Sequence, residues 1–305
     1  MSDRDAAVAV AMAGGLPRAR LERSSFEPRA LRSLLLTIGA WAAAIIAGVP
    51  LVSVLYMLIV RGGSRLSWEV FVELPPAGFE MGGGFGNAIV GTVVVVGIAG
   101  LISIPIGVLA AVFLAELGPD SRLAQLARFA TKTLTGMPSI LAGVFAYAVV
   151  VLMTGSYSAP AGGIALAVLM LPTVVLTAEE AIKAVPKVTR DAAYGMGCTR
   201  SQVVWKVLLP TGMSGILTGV MLAVARAAGE TAPLLFTVLF SSYWLFEGGQ
   251  PRLMQPTATL AVLIYNFSGM PFENQIELAW AASLVLVLMV LIINVISRLV
   301  GQRRA

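Results

Sequence analysis

An arginine and a glutamate, Arg226 and Glu230, stand in a run that carries no other charge between Thr211 and Phe240. A charged side chain at the centre of a bilayer costs about 2.5–3.5 kcal/mol on insertion scales, so such residues usually face a protein interior or water. Their i, i+4 spacing puts both on one helix face, where they can pair. An arginine fork suits an oxyanion, and a nearby carboxylate can hold it ready, release it, or accept a hydrogen bond from a protonated anion. Gly229, Thr231 and Pro233 weaken the helix at this point, and Thr231 adds a hydroxyl. Two readings follow. Arg226, Glu230 and Thr231 line a substrate pathway, or Arg226 and Glu230 form an ion pair that locks this segment to a neighbour.

Other chemistry is scarce. Histidine is absent and Cys198 is the only cysteine. Histidine-based acid–base catalysis, thiolate–histidine pairs and nearly every zinc site are thereby excluded, and no catalytic residue or metal ligand is expected. None of the four lysines, Lys132, Lys183, Lys187 and Lys206, lies in a GxxxxGK[ST] phosphate loop. Ser139, after Pro138, is expected to bond its own helix backbone.

The elements that position the charged pair are membrane spans. The chain has 305 residues, of which 58% are hydrophobic and only 12% charged, against about 25% charged in an ordinary soluble domain. Six apolar runs, near 34–60, 87–115, 135–155, 161–178, 212–240 and 276–299, are long enough to cross a hydrocarbon core. The expected fold is therefore all-α, a polytopic membrane protein of six transmembrane helices. Seventeen of the 21 Lys and Arg residues fall in the N-terminal arm, the 116–134 and 179–210 loops and the C-terminal tail. The alternate loops hold only Arg61, Arg65 and Arg252. That asymmetry places both termini in the cytoplasm, in a cell membrane, and it makes the net charge of +5 a topology signal rather than a nucleic-acid footprint. Residues 1–33 read as a cytoplasmic arm, 34–60 as the first transmembrane helix, and GGGFG at 82–86 as a flexible re-entry turn. Measured from Pro210 at 1.5 Å per residue, Arg226 and Glu230 fall in the outer half of the bilayer.

One internal loop is too long for a simple connection. In residues 179–210, AEEAIKAV favours helix and Pro186 interrupts it. Thr189 is expected to cap a second helix, with Asp191 in its first turn, where negative charge suits the dipole. Gly195 and Gly197 end that helix, and SQVVWKVLL resumes an amphipathic pattern before Pro210. The segment is either a pair of interfacial helices or a docking surface for a cytoplasmic partner.

DAAYGMG, nine residues, then VLLP resembles the EAA motif of ABC-importer membrane subunits, with Asp191, Ala192, Ala193, Gly197, Val207, Leu209 and Pro210 at its positions and Asp in place of the usual Glu. TGMPSILAGVFAY (135–147), LPTVVLTAEEAIKAVP (171–186) and ARAAGETAPLLFT (225–237) are similar to phosphate-importer permeases of the PstA type. The resemblance spans about 86–298 and implies a type I ABC importer permease fold with a five-helix core, with 179–210 as the loop coupled to an ATPase. It also implies a second permease subunit of the PstC type, an ATPase dimer of the PstB type that uses ATP and Mg, and an external phosphate-binding protein of the PstS type. No cofactor is expected on this chain itself. The family commonly has an arginine where this chain has Leu176. Competing functions are a stand-alone secondary anion transporter or channel, a permease for another oxyanion, and an intramembrane enzyme. Spans without a convincing duplication argue against the first. The lack of a close pair of membrane carboxylates argues against the last.

Overall fold

The computed structural model describes residues 28–247 and 250–302, so nearly all of the arm expected at 1–33 lies outside the described residues. The chain divides between Tyr56 and Met57 into two compact units. The first unit is helix α1 (Pro28–Met57) up to Tyr56, with Pro50 inside it.

The second unit begins with the turns that finish this helix at Gly62. A short helix, α2 (Glu69–Val72), follows, then α3 (Gly86–Leu117). Among the glycines at 82–86, Gly83, Gly84 and Gly86 are closely packed while Gly82 stands in open space. A Cβ at Gly84 would come within 2.6 Å of the Val70 carbonyl oxygen, so the backbone of α2 closes directly on this strip. The sequence shows the glycines but not the neighbour that needs them small.

The expected third span is bent. Helix α4 (Arg122–Thr135) occupies what reads as a loop, and α5 (Ser139–Thr154) departs from it at 106°. Ser121 starts α4 by accepting a hydrogen bond from the Ala124 N–H at 3.1 Å, and the Gly136–Met137–Pro138 corner ends it, since a residue before proline avoids the helical region. Helix α6 (Ala159–Lys183) is capped by Ser158 and is the centre of the bundle. Two-thirds (67%) of its most apolar stretch is buried, against 28% for α3. Helices associate in a membrane through close packing of small residues. Accordingly, a Cβ on Gly107 of α3 would stand 2.7 Å from Val174 of α6.

After α6 come the short helix α7 (Lys187–Gly195) and the long α8 (Arg200–Gly229). On α8, Gly215 backs onto Ala181 of α6 in the same close-packed way. Pro210 does not separate a loop from a span, because α8 runs through it. A π-helical turn at Val204–Leu208 immediately precedes it, which relieves the clash and the lost hydrogen bond that proline brings to an α-helix. The expected span 212–240 is also shorter than its apolar run. The α-helix stops at Gly229 and a single turn, α9 (Ala232–Leu235), follows.

A two-residue antiparallel ladder, β1 (Phe246–Glu247) with β2 (Gln250–Pro251), closes the next loop. Helix α10 (Leu260–Ser268) then packs on α11 (Glu273–Gln302). At nine residues α10 is too short to register as a span, yet it is deeply buried through Leu260, Val262 and Leu263. The Thr92 hydroxyl of α3 accepts its first N–H at 2.9 Å. Among the described residues, five helices are long and apolar enough to cross a membrane, and the bent pair makes six.

Candidate functional site

The 184–210 segment is an elbow fastened by one ion pair, side-chain hydrogen bonds and helix caps. Helix α7 is entered at Pro186, its N-cap, so Thr189 lies within the helix and Asp191 beyond the first turn. Both differ from expectation because the proline, with its fixed φ and no N–H, already supplies the helix start. At the far end Gly197 adopts φ +83°. Cys198 N–H donates to the Ala193 carbonyl at 3.2 Å and Gly197 N–H to that of Tyr194 at 2.9 Å. This is a Schellman turn with glycine at its left-handed position. Thr199 and Gln202 then form a reciprocal capping box that launches α8.

One buried carboxylate, Glu116, holds the elbow to the bundle, and a second, Glu179, ties α4 to α6. Glu116, at the end of α3, is 2.8 Å from Arg190 of α7 through Oε2 and accepts the Tyr194 hydroxyl at 3.1 Å through Oε1. Burial, and then the adjoining Glu116 carboxylate, push the Tyr194 phenol above its usual ionisation range. The phenol therefore stays protonated and serves as donor. The Arg200 Nη1 donates to the Leu117 carbonyl at 3.3 Å. Deeper, Glu179 of α6 accepts from Arg128 Nε of α4 at 2.9 Å and pairs with Lys183 one turn on. Arg128 also donates to the Leu114 and Pro119 carbonyls at 2.7 and 2.8 Å. The Leu114 carbonyl lies in the last turn of α3, where backbone acceptors lack intrahelical donors and cations are favoured, and that of Pro119 just beyond it.

The motif residues split into two groups. Asp191, Ala192 and Gly197 are exposed, whereas Ala193 is buried within the main core cluster with Val203 and Leu208. Leu209 is buried, Val207 half-buried and Pro210 exposed on the helix that follows. The outward face of α7 and its C-cap carries Val188, Ala192 and Met196 at i, i+4 and i+8, with Val188 and Met196 each 78% exposed. Apolar side chains this bare, on a helix held from behind by the Arg190–Glu116 ion pair and the Tyr194–Glu116 hydrogen bond, make a surface shaped for contact. Glu116, Arg128, Glu179, Arg190 and Tyr194 were not singled out by sequence reading. The four charged residues signalled themselves only as charges near the ends of apolar runs, which read equally well as solvated, and Tyr194 gave no signal.

At the opposite end of α8, Arg226 Nε and Glu230 Oε1 are 3.2 Å apart. The pair forms although Glu230 is no longer helical; it takes up extended backbone (φ −75°, ψ 124°) as the residue after Gly229. Arg226 lies in the last turn, where its charge suits the helix dipole. Its side chain is 49% exposed and that of Glu230 17%. Thr231 precedes α9 and makes no capping bond with its side chain. Pro233 packs against α5, where a Cβ on Gly143 would fall 2.6 Å from its Cα. Leu176 is half-buried on α6. Cys198 is partly exposed beside the elbow.

A bundle of apolar helices with one ion-pinned elbow at one end and an isolated charged pair at the other defines a multi-pass membrane transport subunit. Residues 103–305 match the family of binding-protein-dependent transport system inner membrane components, and the chain belongs to that family. It is 40% identical over 254 residues to the phosphate transport system permease protein PstA of Yersinia pestis, covering 83% of this chain and 84% of that one. It is 41% identical over 251 residues to PstA of Haemophilus influenzae, covering 82% and 87%. A probable phosphate transport system permease protein PstA of Methanocaldococcus jannaschii is 37% identical over 213 residues, covering 70% and 74%. Among solved structures, a chain of a bacterial alginate ABC transporter in complex with an alginate pentasaccharide-bound periplasmic protein aligns with TM-score 0.64 at 16% identity, covering 92% of this chain and 98% of that one. A chain of the MetNI methionine ABC transporter in an inward-facing conformation aligns with TM-score 0.55 at 19% identity, covering 72% and 93%. These two likenesses establish the shared permease fold.

Proposed function

We propose that the chain is the phosphate-conducting permease subunit of an ATP-driven importer, with both termini in the cytoplasm and the α7 elbow docked into an ATPase. The observation that carries this reading is the exposed Val188–Ala192–Met196 stripe on a helix pinned through Arg190 to buried Glu116. A surface meant only for lipid headgroups would have no need of a buried ion pair behind it. The 37–41% identity to phosphate permeases supports the choice of phosphate. The complex then contains a second permease of the PstC type, two PstB-type ATPase subunits that bind ATP and Mg, and a PstS-type phosphate-binding protein. This chain itself binds no cofactor and performs no catalytic step.

In this mechanism, closure of the ATPase pair pushes on α7. Because Arg190 and Tyr194 grip the end of α3, and Arg128 ties that same end to Glu179 of α6, the push moves α3, α6 and α8 together. Arg226 at the far end of α8, with Glu230 and Thr231 just beyond it, lines the outer part of the anion path. A half-exposed arginine at bilayer depth needs protein or water against it, and a pore completed by the second permease supplies both. The test is [32P]phosphate uptake in a strain lacking its own permease. Restoration requires ATP and co-expression of the partner subunits. Uptake by this chain alone, without nucleotide, removes the proposal in favour of a secondary transporter.

A further inference from the structure

Helix α4 presents three unlike faces. The first is buried. Ala124 and Thr131 lie on it, where α4 packs on α6 and the end of α3, and from it Arg128 reaches Glu179 and the Leu114 and Pro119 carbonyls. The second is apolar and bare. Leu123, Leu126 and Phe129 follow at i, i+3 and i+6 on one side of the helix, with the two leucines each 62% and Phe129 69% exposed. The third is polar, with exposed Gln125 and Lys132 seven positions apart along one edge of the apolar stripe, and Arg122 exposed at its N-terminal end.

The charge on α4 has one sign, since the helix contains no Asp or Glu. Arg128 is engaged with Glu179. Among the described residues, the side chains of Arg122 and Lys132 have neither an ion pair nor a hydrogen bond. A cation in the first turn is also opposed by the helix dipole, so Arg122 is not there for the sake of the helix it starts. Both cations are left to meet an anion from outside the chain.

A face turned to water has no reason to leave Leu123, Leu126 and Phe129 bare, and a face turned only to acyl chains has none to keep two free cations. The headgroup boundary of a bilayer suits both. Apolar side chains enter the acyl region there, while lysine and arginine reach along it to the phosphates. The placement agrees. The Leu114 and Pro119 carbonyls held by Arg128 flank Glu116, the anchor of α7, so α4 lies at the elbow's end of the bundle. It turns 106° away from α5 and so runs crosswise to that half of the span.

We infer that α4 is an in-plane helix that binds anionic phospholipid at the bilayer surface on the elbow's side. Leu123, Leu126 and Phe129 stand among the acyl chains, and Arg122 and Lys132 meet headgroup phosphates. Because Arg128 of the same helix fastens the end of α3 to Glu179, lipid held on the outer faces steadies the anchor against which α7 works. The lipid contact is independent of the solute carried; its effect on transport rests on the proposed function.

The test uses the purified importer complex in vesicles of phosphatidylcholine, with and without one-third phosphatidylglycerol. Benzoylphenylalanine in place of Leu126 is expected on illumination to join this chain to phospholipid, read by mass. In the mixed vesicles the adduct is expected to hold at least threefold more phosphatidylglycerol than its share of the lipid. Arg122→Gln/Lys132→Gln is expected to bring it back to that share. Phosphate uptake is expected to rise at least threefold with phosphatidylglycerol, and the double variant to keep uptake in phosphatidylcholine while losing the rise. An adduct with the second permease, or none with lipid, overturns the placement. An adduct that follows lipid composition, or an enrichment that survives in the double variant, overturns the anionic preference. Equal uptake in the two vesicles overturns the effect on transport. A complex that carries no phosphate in either vesicle loses the proposed function, and the adduct still decides the lipid contact.

Discussion

Arg190 of α7 reaches back to Glu116 at the end of α3, Nη1 to Oε2 at 2.8 Å, with the arginine side chain 20% and the glutamate 7% exposed. This contact ties the moving part of the proposed mechanism to the bundle. Removing one partner of a buried pair leaves an uncompensated charge and typically costs about 3–5 kcal/mol. Glu116→Ala is therefore expected to lower the unfolding temperature of the purified complex and to reduce uptake several-fold. The Glu116→Arg/Arg190→Glu exchange is expected to recover part of both. Thermal unfolding in detergent and transport in cells check it, and an exchange no better than the single change argues that the contact is incidental.

Ala192 and Ala193 are neighbours with opposite surroundings. Ala192 is exposed on the α7 stripe and Ala193 is buried among Val203, Val204 and Leu208. Ala192→Glu is expected to leave the protein in the membrane at normal level while abolishing ATP-driven uptake. Ala193→Glu buries an unpaired carboxylate and is expected to cost protein before it costs coupling. Comparing membrane abundance with uptake for the two variants separates a docking surface from a packing surface. Equal abundance and equal loss would remove that distinction.

Gly197 occupies a left-handed position with open space around its Cα. The cost of a side chain there is conformational, about 1–2 kcal/mol for most residues and less for asparagine. Gly197→Asn is expected to keep most of the transport and Gly197→Val to lose much of it. Uptake rates normalised to protein level give the comparison, and similar rates for both would place the role of Gly197 in contact with a partner rather than in the turn.

The parts of this architecture that sequence could show are those governed by neighbouring residues. Apolar runs set the number of spans, and Pro186 and Gly197 mark both ends of α7, because a proline or a left-handed glycine acts on its own backbone. The parts that stayed hidden depend on distant partners. Tyr194 and Glu116 are separated by 78 positions, and Arg128 and Glu179 by 51. Read along the chain, Glu116, Arg128 and Glu179 are only further charges near helix ends, and Tyr194 is an ordinary aromatic residue. The nine-residue α10 escaped for a related reason. It is buried by α3 and α11 rather than by its own length, and a search for segments that span a bilayer passes over it. The Thr199–Gln202 capping box, by contrast, was legible in the T-x-x-Q pattern and would have set the start of α8 where it stands.

The Arg226–Glu230 pair sits where α8 gives way to irregular backbone, with Arg226 half exposed and Glu230 largely covered. An exposed ion pair contributes only about 0–1 kcal/mol, so a purely structural role for the pair predicts variants that fold and transport almost normally. A pathway role predicts something else. Arg226→Gln removes the donor fork and is expected to reduce maximal phosphate uptake at least tenfold without changing protein level. Arg226→Lys keeps the charge but not the bidentate geometry and is expected to fall between. Glu230→Gln frees the arginine from its partner and is expected to slow release of the anion, lowering the maximal rate more than the half-saturating concentration. The Arg226→Glu/Glu230→Arg exchange restores an ion pair at the same site, yet moves the cation off the helix end and into the extended segment. Normal transport by the exchanged protein would assign the pair to structure; continued loss, with the complex fully assembled, would assign it to the anion.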